Sequence, residues 1–318
     1  MQISRLRSDQ FFSFVFCLVF LLIQGSLLPL EPVQSLSQVS SLELIQLDPI
    51  PVVKDYQSLV NLNYGQSPQL SQVTAQSYLV VDLKSASILI EKNKDLPLFP
   101  ASTVKLMTAL LARDIYDLNN VIRVGQEVEV VGHQIGLRPG QEMKVFDLLK
   151  AILVNSGNDA AQTLAFNHPF GYEGFIQGMN LKAQALSLTN TYFTNPTGLD
   201  DYHQVSTSWD LALLAKEINK DPVLKKLVNL QQASISDVAG FSNYQLYNTN
   251  QLLTKYDQAI GIKTGTTQMA GQVLVTLWKE ASHELLIVVM GSQDRYQDTL
   301  YLVDWVSDNI EWIDYDSP

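Results

Sequence analysis

The sequence predicts an α/β domain in which one sheet is assembled from distant parts of the chain and a helical region lies between them. Three observations carry this expectation. Apolar, β-branched runs at Ser77–Leu83 and Ile88–Glu91 have the pattern of a hairpin. Two more apolar runs, Gln272–Trp278 and Glu284–Met290, stand some 180 residues further on, split by the polar stretch Lys279–His283. Between these pairs the longest patterned segments have helical periodicity.

Each element has a local reason. Lys84–Ser87 separates the first two strands as a turn. Pro97, Pro100 and Ala101 precede Ser102–Leu111, a run of strong helix formers, and prolines just ahead of such a run fit a helix start. Asp147–Val154 and Asp159–Phe166 read as helices on either side of Asn155-Ser156-Gly157-Asn158. Trp209–Ile218 is amphipathic, with Asp210 near its start. Ile260-Gly261-Ile262 opens a strand before Lys263, and Leu300–Ile310 closes the pattern as a helix.

The 318 residues carry a net charge of -11, and 46 % are apolar. That apolar fraction suits a globular core. The acid excess argues against nucleic acid as a partner, because a phosphate backbone calls for a basic patch. A single cysteine, Cys17, excludes an internal disulfide framework and any cysteine-based zinc site. His133, His168, His203 and His283 show no metal-ligand spacing, so no metal or cofactor is expected. His203, in the Gly198–Ser206 stretch, reads as a brace for a nearby site. No G-x-S-x-G elbow occurs, which argues against a lipase-type triad.

Residues 1–30 read as an export segment. Arg5 and Arg7 precede an apolar run from Phe11 to Ile23, and small residues follow. Phe11–Leu30 is also long enough to span a bilayer, so the reading is either a cleaved signal or a retained anchor. With the arginines before the run and Glu31 after it, the remainder is expected outside the cytoplasm, in the cell envelope or secreted. Residues 31–70, rich in Gln, Ser and Pro, read as a flexible linker. Residues 71–312 form the expected catalytic domain, and 313–318 an acidic tail. Asp294–Pro318 holds seven acids and one base, the wrong sign for docking on anionic lipid, so any membrane contact is expected through residues 11–30.

Three short motifs carry the chemistry. In Ser102-x-x-Lys105 a helical spacing of three puts a hydroxyl and an amine on one face of one turn. A serine is a weak nucleophile that needs a base beside it, and a neutral lysine can serve. Ser156-Gly157-Asn158 offers a proton relay and an amide able to orient a peptide; the same residues also suit a plain helix-capping turn. Lys263-Thr264-Gly265, followed by Thr266, places a cation and hydroxyls on an edge strand where they can hold a carboxylate, the glycine permitting close backbone approach. Ser307-Asp308-Asn309 repeats the Ser-x-Asn pattern by chance, beyond the third motif.

The order and spacing of these motifs match the parts list of the penicillin-interacting serine enzymes. The flanking text, Phe99-Pro100-Ala101-Ser102-Thr103-Val104-Lys105-Leu106-Met107-Thr108-Ala109 and Leu153-Val154-Asn155-Ser156-Gly157-Asn158-Asp159-Ala160-Ala161, resembles the serine D-alanyl-D-alanine carboxypeptidases, the low-molecular-mass penicillin-binding proteins. Asn195-Pro196-Thr197-Gly198-Leu199, Gly261-Ile262-Lys263-Thr264-Gly265 and Met290-Gly291-Ser292 to Arg295 extend the resemblance over about residues 75 to 312.

The resemblance implies the DD-peptidase/β-lactamase fold, a mainly antiparallel sheet flanked by helices beside an all-helical subdomain, with the site between them. It implies that Ser102 attacks the carbonyl between the two terminal D-alanines of a peptidoglycan stem peptide, with Lys105 as base. Ser156 would pass the proton on and Asn158 would hold the peptide. Lys263, Thr264, Gly265 and Thr266 would form the substrate-binding strand, and Arg295 would either share carboxylate binding or form a surface salt bridge. Backbone N–H groups of Ser102 and Thr266 would make the oxyanion hole, and β-lactams would act as inhibitors. Two ammonium groups in one buried site disfavour each other's charge, so a neutral Lys105 and a charged Lys263 are expected. Rival readings are a β-lactamase, for which Asn195–Val205 lacks an E-x-x-L-N-like segment, a non-turnover penicillin-sensing or wall-binding module, and a transpeptidase or endopeptidase.

Overall fold

Strands from both ends of the domain pair into one sheet, as their separation in sequence predicts. The computed structural model describes residues 70–312; the export segment expected at 1–30, nearly all of the linker and the 313–318 tail lie outside the described residues. In chain order the elements are β1 (Ser77–Asp82), β2 (Ile88–Lys92), α1 (Lys105–Ile115), β3 (Val121–Arg123), β4 (Glu142–Lys144), α2 (Val145–Leu153), α3 (Asn158–Phe166), α4 (Gly171–Ala185), α5 (Ser208–Lys220), α6 (Pro222–Val228), β5 (Gln232–Ser236), β6 (Asn243–Tyr247), α7 (Leu252–Lys255), β7 (Ala259–Thr267), β8 (Gly271–Glu280), β9 (His283–Ser292) and α8 (Arg295–Asn309). The five-stranded sheet runs β2-β1-β9-β8-β7, every pair antiparallel, with β7 at an edge.

Both faces of this sheet are covered, which explains why its central strands read as continuous apolar runs. Side chains still alternate. Leu79, Val273, Val275, Leu286 and Val288 join the larger core beneath the helices. Tyr78, Val80, Leu274, Leu285, Ile287 and Val289 face the other way, onto Leu302, Val303 and Val306 of α8. Each such aliphatic side chain contributes about 1.5–3 kcal/mol relative to exposure, and a one-residue slip of register would move every one to the wrong face.

On the larger-core side, α1 is buried from Lys105 to Ala112 and is ringed by α2, α3, α4 and α5. A helix enclosed in this way needs apolar residues all round, so a lysine at its first position is an exception that calls for a reason. Among the described residues no helix is long and apolar enough to cross a membrane.

Two expected boundaries shift. The run beginning at Ser102 is not α-helical at its start: Ala101–Val104 forms one 3-10 turn and α1 begins at Lys105. The backbone of Gly198 and of Gly265 approaches this turn closely, a tertiary contact that composition does not register. The last helix begins at Arg295, five residues before the expected Leu300, because the Asp294 side chain caps it, accepting from the N–H groups of Tyr296 and Gln297 (both 3.1 Å). Helices α4, α6 and α7 and the short pairs β3–β4 and β5–β6 are elements that the sequence pattern does not predict.

Candidate active site

The 3-10 turn presents Ser102 toward α1, and Ala101 enters it at a φ of 49°. Lys105 Nζ donates to Ser102 Oγ at 3.0 Å and to the Thr197 carbonyl. Lys105 is wholly buried. Burial pushes its ammonium well below the usual lysine range; repulsion from Lys263 adds to this, and attraction to Asp159 opposes it.

The loop that aims the Thr197 carbonyl is built by two amide side chains. Asn195 Oδ1 accepts from the backbone N–H groups of Thr197 (3.2 Å), Gly198 (2.8 Å) and Leu199 (3.2 Å). Buried Gln204 accepts from the N–H groups of Thr194 and Asn195 (3.1 Å each) and donates to Leu199 O at 3.0 Å. Thr108 Oγ1 fastens Pro196 O to α1 at 2.7 Å. Gly198 has a φ of 83°, and a Cβ there would stand 2.0 Å from Ala101 O, so only glycine lets the loop close on the nucleophile turn. The brace is therefore Gln204, and the expectation for His203 is corrected. The His203 side chain is 85 % exposed and, among the described residues, lies against Asp201, at 3.5 Å. Its backbone turns the imidazole to solvent, and the shorter route back to the loop belongs to its neighbour.

The second motif forms the turn between α2 and α3. Ser156 sits at a φ of 65°, and Gly157 N–H closes the turn on Ala151 O at 3.0 Å. Asn158 Nδ2 donates to Val131 O at 2.7 Å. Both Ser156 and Asn158 are buried.

The third motif lies on β7, where Gly265 packs against the nucleophile turn. A Cβ on Gly265 would stand 2.9 Å from the Ser102 nitrogen. Thr264 Oγ1 shares a 2.6 Å hydrogen bond with Thr249 Oγ1, and Thr249 N–H donates to Val154 O at 3.2 Å. Thr249 thus ties the end of α2, two residues before the second motif, to the third; nothing in its sequence context marks it. Lys263 is 1 % exposed and donates to Thr264 O at 3.1 Å. Burial, and then the charge of Arg295, lower Lys263 to about 7, so its charge is less secure than that of the fully charged lysine expected. Thr266 is exposed. Arg295 donates to Thr266 Oγ1, to Gly265 O (2.7 Å), to Val273 O (3.1 Å) and to Gln272 Oε1 (3.0 Å). Its guanidinium is a bracket under the end of β7, and its partners are not the surface carboxylates of the alternative reading.

The first and third motifs therefore meet at the Ser102 turn, the second is linked to β7 through Val154, Thr249 and Thr264, and Lys105, Lys263 and Arg295 form a cluster of basic side chains in an acidic chain. A buried lysine hydrogen-bonded to a half-buried serine, beside such a cluster, suits acyl transfer on an anionic substrate.

Residues 64–294 match the D-alanyl-D-alanine carboxypeptidase family. The chain belongs to that family. Among relatives, D-alanyl-D-alanine carboxypeptidase DacF of Bacillus subtilis is 34 % identical over 224 residues, covering 69 % of this chain and 57 % of the relative. DacC of Escherichia coli is 32 % identical, covering 76 % of this chain and 63 % of the relative. The chain thus spans about three fifths of the length of these relatives. A solved D-alanyl-D-alanine carboxypeptidase from Mycobacterium tuberculosis superposes with a TM-score of 0.69 at 29 % identity, covering 77 % of this chain and 93 % of that one. The DD-peptidase fold inferred from the motifs is the fold this family member has.

Proposed function

We propose that this chain is a serine D-alanyl-D-alanine carboxypeptidase that removes the terminal D-alanine from peptidoglycan stem pentapeptides and is acylated by penicillins. The carrying observation is the 3.0 Å contact between Lys105 Nζ and Ser102 Oγ at a buried lysine held below its usual range. A neutral amine has a lone pair, so Lys105 takes the Ser102 proton as Oγ attacks the carbonyl between the two D-alanines. The oxyanion accepts from the N–H groups of Ser102 and Thr266. Ser156 relays the proton to the leaving amine, D-alanine departs, and water releases the acyl group. One amide N–H of Asn158 is spent on Val131 O; the other, and its carbonyl oxygen, remain for the substrate backbone. Thr264 and Thr266 hydroxyls meet the terminal carboxylate, with the charges of Lys263 and Arg295 behind them.

The assay is D-alanine release from a pentapeptide ending in D-Ala-D-Ala by the purified protein. Release supports the reading. A stable penicillin adduct without release would make the chain a non-turnover module, rapid penicillin hydrolysis a β-lactamase, and transfer to an added amine a transpeptidase. We also propose export through residues 1–30, with attachment to the membrane only if that segment is retained. Peptide mapping of the mature N-terminus distinguishes cleavage from retention.

A bell-shaped pH dependence of kcat/KM is expected. On the acid side Lys105 gains a proton and ceases to be a base. On the alkaline side Lys263 loses its charge at about pH 7, so kcat/KM for a carboxylate-ended peptide falls by up to about tenfold per pH unit. A bound carboxylate favours the charged lysine, so the alkaline limb of kcat lies at higher pH than that of kcat/KM. A kcat/KM that stays flat to pH 9 would remove Lys263 from carboxylate binding.

A further inference from the structure

We infer that Asp159 is a positioning residue for the reaction: its buried carboxylate fastens the loop of residues 131–137 over the site, and through that loop it sets the amide of Asn158. The inference rests on the proposed roles of Lys105 and Asn158.

Asp159 lies in the first turn of α3, beside Asn158, and is wholly buried. Its partners among the described residues are backbone N–H groups. Oδ2 accepts from Ile135 (3.1 Å), Gly136 (2.8 Å) and Leu137 (3.0 Å), and Oδ1 from Ile135 (3.2 Å) and Ala160 (3.0 Å). Three consecutive loop N–H groups thus converge on one carboxylate. At its far end the loop is also held by Leu137, buried in the larger core, and by Tyr244 Oη, which donates to Gly136 O at 3.4 Å; its near end is open. Val131 is 72 % exposed, Gly132, His133 and Gln134 are exposed, and Gly132 and Gly136 have φ values of 86° and 92°.

The loop returns two carbonyls to the motif it covers. Val131 O receives Asn158 Nδ2 at 2.7 Å, and His133 O receives Asn158 N–H at 2.8 Å. His133 Nε2 also lies 2.8 Å from Asn155 Oδ1. Asp159 therefore holds the loop, and the loop holds the amide expected to hold the peptide. Space is tight on both sides. A Cβ at Gly132 would stand 2.7 Å from Asn158 Nδ2, and one at Gly157 2.9 Å from Asp159 Oδ1.

The same carboxylate also acts on the charge of Lys105. The Lys105 amine donates to Ser102 on its own turn and to the Thr197 carbonyl from the Asn195–Leu199 loop, and its charge is acted on by Lys263 on β7 and Asp159 on α3. Lys263 and Asp159 act on its charge in opposite directions. Removing the Asp159 charge leaves the repulsion from Lys263 unopposed, so Lys105 stays neutral to lower pH.

The test compares wild type, Asp159→Asn and Ile135→Pro in fluorescent-penicillin acylation across pH, D-alanine release, thermal melting and amide hydrogen exchange. Asn keeps the shape but turns an N–H donor toward backbone donors. We expect Asp159→Asn to slow acylation on the order of tenfold to a hundredfold, to move the acid limb to lower pH and to speed exchange at Ile135–Leu137. Ile135→Pro removes the donor shared by both oxygens and keeps the charge, so it should slow acylation with the acid limb unmoved. It also carries the test if Asp159→Asn does not fold. Wild-type rates in both variants, or a loss in Asp159→Asn that tracks only its folded fraction with an unmoved limb, would overturn the inference. A wild type that forms no adduct and releases no D-alanine fails the functional reading instead; the tether is then judged by exchange alone, and unchanged exchange in Asp159→Asn overturns it.

Discussion

Ser102→Ala is expected to abolish the covalent penicillin adduct and to cut D-alanine release by more than about 10⁴-fold. The nucleophile is one oxygen, and the residual rate of such variants comes from binding and the oxyanion donors alone. Ser156 does not substitute for it. It lies in a different turn, is buried, and has its backbone held at a φ of 65° by the α2–α3 connection. Stability should change little, by about 1 kcal/mol or less, because Ser102 Oγ accepts a single bond from Lys105 and the lysine keeps the Thr197 carbonyl. Intact-protein mass spectrometry with and without penicillin reads the result. An adduct that survives in Ser102→Ala places the nucleophile elsewhere.

Lys105→Met should lower acylation by about 10²–10⁴-fold, the usual worth of a positioned base, while the fold survives. The argument is a balance. Losing the amine orphans the Thr197 carbonyl, at about 1–3 kcal/mol. Against this, a lysine lowered by burial costs the folded state. Between its folded and unfolded values the unfolded chain binds the extra proton, so stability rises with pH across that window. Lys263 obeys the same sign between about pH 7 and the ordinary lysine value of 10.5. Methionine fills the same channel without that cost, so the melting temperature is expected to stay within a few degrees. Lys105→Arg separates charge from base chemistry: it keeps a cation that cannot deprotonate, and acylation should be lost equally. If Lys105→Met acylates at the wild-type rate, another group is the base.

These expectations show how far the residues alone could be read. The apolar runs of β8 and β9, the turn at Ser156–Asn158 and the prolines before Ser102 are short-range features, and each lies within a few residues of its expected place. Misreadings came where neighbours distant in sequence decide. Ser102–Val104 has the composition of an α-helix, yet Gly198 and Gly265 press on it and it forms a 3-10 turn. His203 carries the more reactive side chain, yet its plain neighbour Gln204 holds the loop. Thr249 and Asp159 look ordinary in sequence because their importance lies wholly in what is brought to them.

By itself the sequence determined the strands of the large sheet, the helices flanking Ser156–Asn158, the amphipathic helix after Thr207 and the one-turn spacing of Ser102 and Lys105, because these follow from periodicity and propensity over a few residues. Only the tertiary structure decided the chemical state of the site. Lys105 and Lys263 are 158 positions apart, and their mutual repulsion, their loss of water, the opposing charge of Asp159 and the hold of Arg295 on Thr266 exist only once the sheet has closed against α1. Solvation and Coulomb energy depend on distance through space, and no local pattern of residues encodes that distance.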